Sequence, residues 1–284
     1  MKKYFVSLRK NRITTTAILS VSTLLMVAFL YSCGANLYSV SDDVKIGRDL
    51  NSQILNDSKD YPMLTGHEDV KAYVSDIGRY IVNTSPNVQY KSSFPYTFQI
   101  VHDDSTVNAF SIPGGFVYIY TGLMKFVDNE ATLAGVMAHE IGHAELRHMT
   151  QRLTSYYGVS MILGLVLGNN PSTLAQIGAN LFVGLGFLAN SRSDEKEADD
   201  FSMKALANSK YYPGSIINFF YKIREEQRRK GETPGGLDRL LATHPLPQDR
   251  IDNVLQTMRS YSVRPDSTKG LNTEVYNTIK AKLQ

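Results

Sequence analysis

The chain of 284 residues contains a single cysteine, Cys33, so no intramolecular disulfide can form. No acid precedes residue 33, although Lys2, Lys3, Arg9, Lys10 and Arg12 all do. The formal charge of +3 therefore belongs to the N-terminus. What remains has 25 basic and 27 acidic residues, a net of −2, and that balance excludes nucleic acid as an expected partner. No internal repeat is visible. Beyond the N-terminus the only long apolar stretch is Tyr157–Leu188, broken by Gly168-Asn169-Asn170-Pro171-Ser172, and each half is short for a bilayer span. It reads as two buried or lid-forming helices, with a hydrophobic flap near a site or membrane as the alternative. The 43% apolar content supports a packed core in one large domain or two small ones.

The basic stretch Met1–Arg12 precedes an uncharged run, Ile13–Ser32, and has the layout of an export signal. The run ends in Leu30-Tyr31-Ser32-Cys33-Gly34, which resembles a bacterial lipobox, with Cys33 lipidated as the mature N-terminus. An uncleaved membrane helix is the alternative, since about 20 apolar residues span a bilayer. Both place residues 34–284 outside the cytoplasm on a tether. The expected organisation is a lipoprotein signal peptide over 1–32, a linker over 33–43, a domain over 44–265 and a loosely packed tail over 266–284.

Within the domain, Val44–Leu55 can begin the first helix. Apolar spacing of three and four over Val70–Val82 predicts an amphipathic helix. Tyr96–Val101 alternates and reads as a strand; Phe116–Tyr120 is another, entered through Pro113-Gly114-Gly115. Asp128 or Asn129 can cap a helix that runs to about Leu153.

That helix carries His139-Glu140-Ile141-Gly142-His143. Residues four apart share a helix face, so two imidazoles can meet one metal ion, and Glu140 is placed to act as general base on a zinc-bound water. Chance produces this pentapeptide in roughly one chain of this length in a hundred, so the rest of a site must be found. A metzincin would have histidine at 149 and glycine at 146; Met149 and Leu146 exclude that class. His148 falls about 180° around the helix from His139 and is expected to make a structural contact instead.

A catalytic zinc usually takes three protein ligands. In the segment Ser191–Asp199, the residues Glu195, Ala198, Asp199, Ser202, Ala205 and Leu206 form one mostly small or apolar stripe, while Glu197 points elsewhere. A carboxylate on a packed face needs a partner. A metal at Glu195, with Asp199 holding the far nitrogen of a ligand histidine, is one arrangement. A buried salt bridge, for example with Arg192, is the other. Spacing leaves the two open.

Four separated blocks decide further: Asn108-Ala109-Phe110 with Pro113-Gly114-Gly115; the pentapeptide; Ser191-Arg192 with Glu195, Ala198 and Asp199; and His244-Pro245 with Arg250-Ile251. In order and spacing they resemble the zinc metallopeptidase family of HtpX, the CAAX prenyl endoproteases and periplasmic BepA and LoiP, over roughly residues 40–260. The short, lipid-anchored layout looks most like the LoiP type. The resemblance implies an α+β fold, a mainly helical gluzincin-type domain with a small antiparallel sheet beside the motif helix. It implies one zinc ion per chain, held by His139, His143 and Glu195, with Asp199 behind a ligand histidine and Arg250 near the site. It gives His244 a role in stabilising the transition state or in capping the metal in a latent form. It also implies that Asn108, Ala109 and Phe110 lie on an edge strand that binds extended substrate.

The resulting expectation is a zinc-dependent endopeptidase of the bacterial envelope, lipid-anchored, facing the periplasm and acting on misfolded or misassembled proteins beside envelope assembly machinery. The rival is a latent or chaperone-like protein with zinc capped by His244. A membrane scaffold would leave all four blocks unexplained.

Overall fold

A computed structural model describes residues 36–155, 190–230, 235–245, 248–263 and 270–283. The expectations for Cys33, the export signal and Tyr157–Leu188 lie outside them. The chain divides into two units. One comprises Met1–Ser39 and Thr150–Gly178, in which the amide of Asn36 donates to the Thr150 hydroxyl at 2.8 Å. The other comprises Val40–Met149 and Ala179–Gln284 and contains everything that follows.

Two helices open this unit, α1 (Val40–Asn56) and α2 (Glu68–Thr84). The first begins inside the segment expected as linker. The second buries Val70, Val74, Ile77, Ile81 and Val82, the three-and-four spacing read from the sequence. A three-stranded sheet follows, of β1 (Thr97–Val101), β2 (Ala109–Ile112) and β3 (Phe116–Tyr120), in the order β1-β3-β2. All five residues of β3 are buried, as a central strand requires. β2 and β3 form an antiparallel hairpin, closed where Gly114 and Gly115 adopt φ of 81° and 82°. β1, however, runs parallel to β3. The sheet is therefore mixed, which corrects the antiparallel expectation. Strand patterning shows where strands lie, while their direction depends on the 102–108 connection, whose path has no such signature.

After α3 (Thr121–Phe126) comes the motif helix α4 (Glu130–Glu145), then α5 (Arg192–Leu206), α6 (Ile216–Lys230), α7 (Asp238–Thr243), α8 (Gln248–Ser260) and α9 (Thr273–Lys280). Asn129 caps α4 by accepting from the Thr132 amide at 2.8 Å. Every residue of α4 is buried, and α5 lies closely against it. Small residues allow that approach. A methyl group on Gly142 would come within 3.0 Å of the Phe201 ring, and the Ser202 hydroxyl donates to the Gly135 carbonyl at 2.8 Å. Two buried helix faces are thus locked together at the height where the site residues project.

Within the expected C-terminal tail, the described helix α9 docks on the domain through its one buried side chain. Tyr276 of α9 is fully buried in the main apolar core, and its hydroxyl donates to the Met124 carbonyl at 2.6 Å. One aromatic in a polar stretch was a weak sequence signal for docking. Tyr276→Ala should lower unfolding free energy by about 3–5 kcal/mol and Tyr276→Phe by about 1 kcal/mol, measured by urea denaturation.

Candidate metal centre

Three elements meet at the site. α4 supplies His139, Glu140 and His143 one turn apart. α5 supplies Glu195, in the turn fixed by a capping box in which Ser191 accepts from the Asp194 amide and Asp194 from the Ser191 amide. His244 follows directly on α7 as its C-terminal cap. His139, His143, Glu195 and His244 are all buried, and one ligand atom from each lies within 4.8 Å of the others. The Nε2 atoms of His139 and His143 are 3.0 Å apart. Glu195 Oε1 lies 3.3 Å from His143 Nε2, and Oε2 lies 3.5 Å from His139 Nε2. Donors about 2.0–2.1 Å from a tetrahedral zinc would be separated by about 3.4 Å. The donor set and its spacing therefore fit zinc.

Asp199 makes contacts of both kinds, to a histidine of the cluster and to an arginine. Its Oδ1 lies 2.9 Å from His139 Nδ1, the nitrogen facing away from the cluster. It also forms a buried, two-pronged ion pair with Arg250, Nε to Oδ2 at 2.9 Å and Nη2 to Oδ1 at 2.7 Å. The salt bridge is thus real, but its partner is Arg250 of α8. Arg250 Nη1 reaches Glu195 Oε2 at 2.6 Å and donates to the Pro245 carbonyl at 3.0 Å, tying the His244 loop to the same guanidinium. Glu197 is exposed.

Electrostatics follow from this crowding. Burial alone would raise the Glu195 pKa, yet His244, His139 and His143 hold it far below the usual carboxylate range. Asp199 is likewise penalised by burial but held low by Arg250 and His139. Burial opposes a charge on His139, and Asp199 and Glu195 overcome it, lifting its pKa to about 10. His143, buried with less compensation, falls well below its ordinary value and is neutral. Burial also raises Glu140.

Several residues were missed by sequence reasoning. The Ser111 hydroxyl, on β2, donates to Glu140 Oε2 at 3.2 Å. The Asn190 amide nitrogen lies 3.3 Å from His143 Nε2 and 3.2 Å from His244 Nδ1. A lone serine or asparagine has no spacing signature; only the position of Ser111 two residues after Ala109 in an edge strand hinted at a place near the motif. His148 stays outside the donor group, as expected, but for a different reason. α4 ends at Glu145, residues 146–147 turn, and Arg147 takes φ 58°. That conformation costs a non-glycine residue about 1–2 kcal/mol, and the Arg147 guanidinium pairs with buried Asp43 of α1. The turn brings His148 Nδ1 to 2.8 Å from His143 Nδ1.

The expected substrate segment lies at the sheet edge, but its side chains do not face outward. Asn108, Ala109 and Phe110 are buried, and Phe110 stacks on Tyr118 with ring centres 4.6 Å apart. Among the described residues β2 is a terminal strand of the sheet. Beside the cluster, a pocket of about 320 Å³, its open mouth included, shares His139, Glu140, His244 and Arg250. Its remaining walls are apolar: Val136, Ile216, Phe219, Phe220, Ile223 and Leu240.

The family model for peptidase family M48 matches residues 69–258. A putative beta-barrel assembly-enhancing protease of Vibrio cholerae is 31% identical over 198 residues, 66% of this chain and 39% of that protein. The beta-barrel assembly-enhancing protease of Escherichia coli is 28% identical over 249 residues, 82% of this chain and 47% of that protein. The mitochondrial metalloendopeptidase OMA1 of Schizosaccharomyces pombe is 23% identical over 234 residues, 82% of this chain and 66% of that protein. The chain thus spans less than half the length of the two bacterial relatives.

A metal entering the cluster must displace the proton on His139. Because that pKa is raised to about 10, the metal-free site holds the proton at pH 7–8 and loses it only as pH rises through about 10. Zinc uptake at about pH 7.5 should release at least one proton, and apparent affinity should climb with pH until about 10. Calorimetry in buffers of different ionisation enthalpy measures the release.

Proposed function

The chain belongs to peptidase family M48, and from that premise we propose that it is a zinc-dependent endopeptidase of the bacterial cell envelope. The observation that carries this reading is the buried cluster of three imidazoles and a carboxylate beside Glu140. In it His139, His143 and Glu195 would hold zinc, with Asp199 and Arg250 fixing those side chains. Zinc bound there supplies Lewis acidity, polarising the scissile carbonyl and easing deprotonation of water. Glu140 takes the proton from the attacking water and delivers it to the leaving amine. Its raised pKa suits a group that must hold that proton between the two steps. His244, with Nε2 3.5 Å from Glu140 Oε1, donates to the developing oxyanion.

Substrate lies along β2, which among the described residues is a terminal strand of the sheet, and pairs with it through main-chain hydrogen bonds. Burial of the Ala109 and Phe110 side chains makes that recognition tolerant of sequence. The apolar pocket then takes one bulky apolar side chain next to the cut. Such substrates are unfolded or misassembled envelope proteins, a reading supported by the names of the bacterial relatives. Lipid on Cys33 tethers the domain at the periplasmic face of the outer membrane, beside envelope assembly machinery.

Glu140→Gln should keep zinc bound and lower cleavage of an unfolded protein by about 10²–10⁴-fold. Wild-type rates in that variant would remove Glu140 from the chemistry.

One observation favours a second reading of the resting enzyme. His244 Nδ1 lies 2.9 Å from Glu195 Oε1, close enough for His244 to cap the metal as a fourth ligand and keep the site latent. His244→Ala separates the two roles. Peptidase activity should rise if His244 is a cap and fall about 10²–10³-fold if it stabilises the oxyanion.

A further inference from the structure

Resting on the metal reading above, we infer that His148 is a positioning residue of the metal centre, acting through His143. The geometry fixes the protons. His143 Nε2 faces His139 Nε2 at 3.0 Å and Glu195 Oε1 at 3.3 Å, so it is the nitrogen that offers a lone pair to a metal. A neutral imidazole that gives its lone pair at Nε2 carries its proton on Nδ1. That Nδ1 lies 2.8 Å from Nδ1 of His148, with the rings inclined at 72°. Two protonated nitrogens cannot sit at that distance, so His148 Nδ1 is the acceptor. The proton of His148 is then on Nε2, the side nearer the Glu197 carboxylate at 3.7 Å.

The two ligand histidines are therefore oriented by unlike groups. His139 faces a carboxylate, Asp199, whose charge Arg250 balances. His143 faces a neutral imidazole that adds no charge to an already crowded pocket. Both His143 and His148 are buried, so water does not readily replace the lost acceptor. A partner on the far nitrogen of a ligand histidine fixes its tautomer and ring angle, and its removal typically costs 10–100-fold in metal affinity. The left-handed Arg147 is what delivers His148 to this place: a helix continued past Glu145 would carry His148 about 180° away from His139.

The test uses the full chain and zinc itself. Competition with a chromophoric chelator should show about 10–100-fold weaker zinc binding in His148→Leu. His148→Asn, whose Oδ1 can stand where Nδ1 was, should recover most of the loss. Nitrogen–proton NMR correlation of histidine side chains in the zinc-loaded wild type should show His143 protonated at Nδ1 and His148 at Nε2, a signature that packing alone does not set. Equal zinc affinity in wild type and His148→Leu would overturn the inference, as would a proton on His148 Nδ1. If His148→Leu does not fold, the wild-type tautomers decide. A wild type that binds no zinc would overturn the metal reading and this inference together, whereas zinc binding indifferent to His148 would overturn only the inference.

Discussion

A buried carboxylate, Glu195, sets the terms for the rest of the domain. It is 1% exposed and surrounded by His139, His143, His244 and Arg250. An isolated charge in such a place costs several kcal/mol, and the penalty is offset only while its partners stay in position. Those partners come from α4, α8 and the end of α7, so the carboxylate couples elements far apart in sequence. The small-residue contact between α4 and α5 and the capping box at Ser191 hold the geometry on which this balance depends. Arg250 is the hub on the other side, joining Glu195, Asp199 and the Pro245 carbonyl.

The same arrangement accounts for the chemistry proposed. A buried cluster of three imidazoles and a carboxylate suits a divalent cation, and His139 and His143 each face a partner on the nitrogen turned away from it. Glu140 is left over from that set, raised in pKa and held by Ser111 of the sheet edge. The strand proposed to align the substrate therefore also touches the proposed base. The apolar pocket also borders Glu140, so the side-chain seating and proton transfer proposed would meet at that residue.

Much of this was legible in the sequence, for identifiable reasons. Helix periodicity over Val70–Val82, the uninterrupted β3 and the cap at Asn129 are local properties, and each lies where local rules put it. The pentapeptide was legible because two histidines four apart on a helix suit one metal ion, whereas spacing left Glu195 open and only the family resemblance pointed to it and to His244. Three things were not. The parallel pairing of β1 with β3 depends on the route of a connection. The break at Leu146–Arg147 has no glycine or proline to announce it, so the helix was expected to continue to Leu153. Contacts made by single polar residues, such as Ser111, Asn190 and the Asp199–Arg250 pair, arise only after packing has brought separate elements together.

The central claim is that Glu195 joins His139 and His143 as a metal ligand. Anomalous diffraction at the zinc edge from crystals of the zinc-loaded protein tests it most directly. The account predicts one ion per chain, about 2.0–2.1 Å from Nε2 of His139 and His143 and from a Glu195 oxygen. An ion bound elsewhere, or one held by the two histidines with Glu195 paired only to Arg250 and His244, would contradict it.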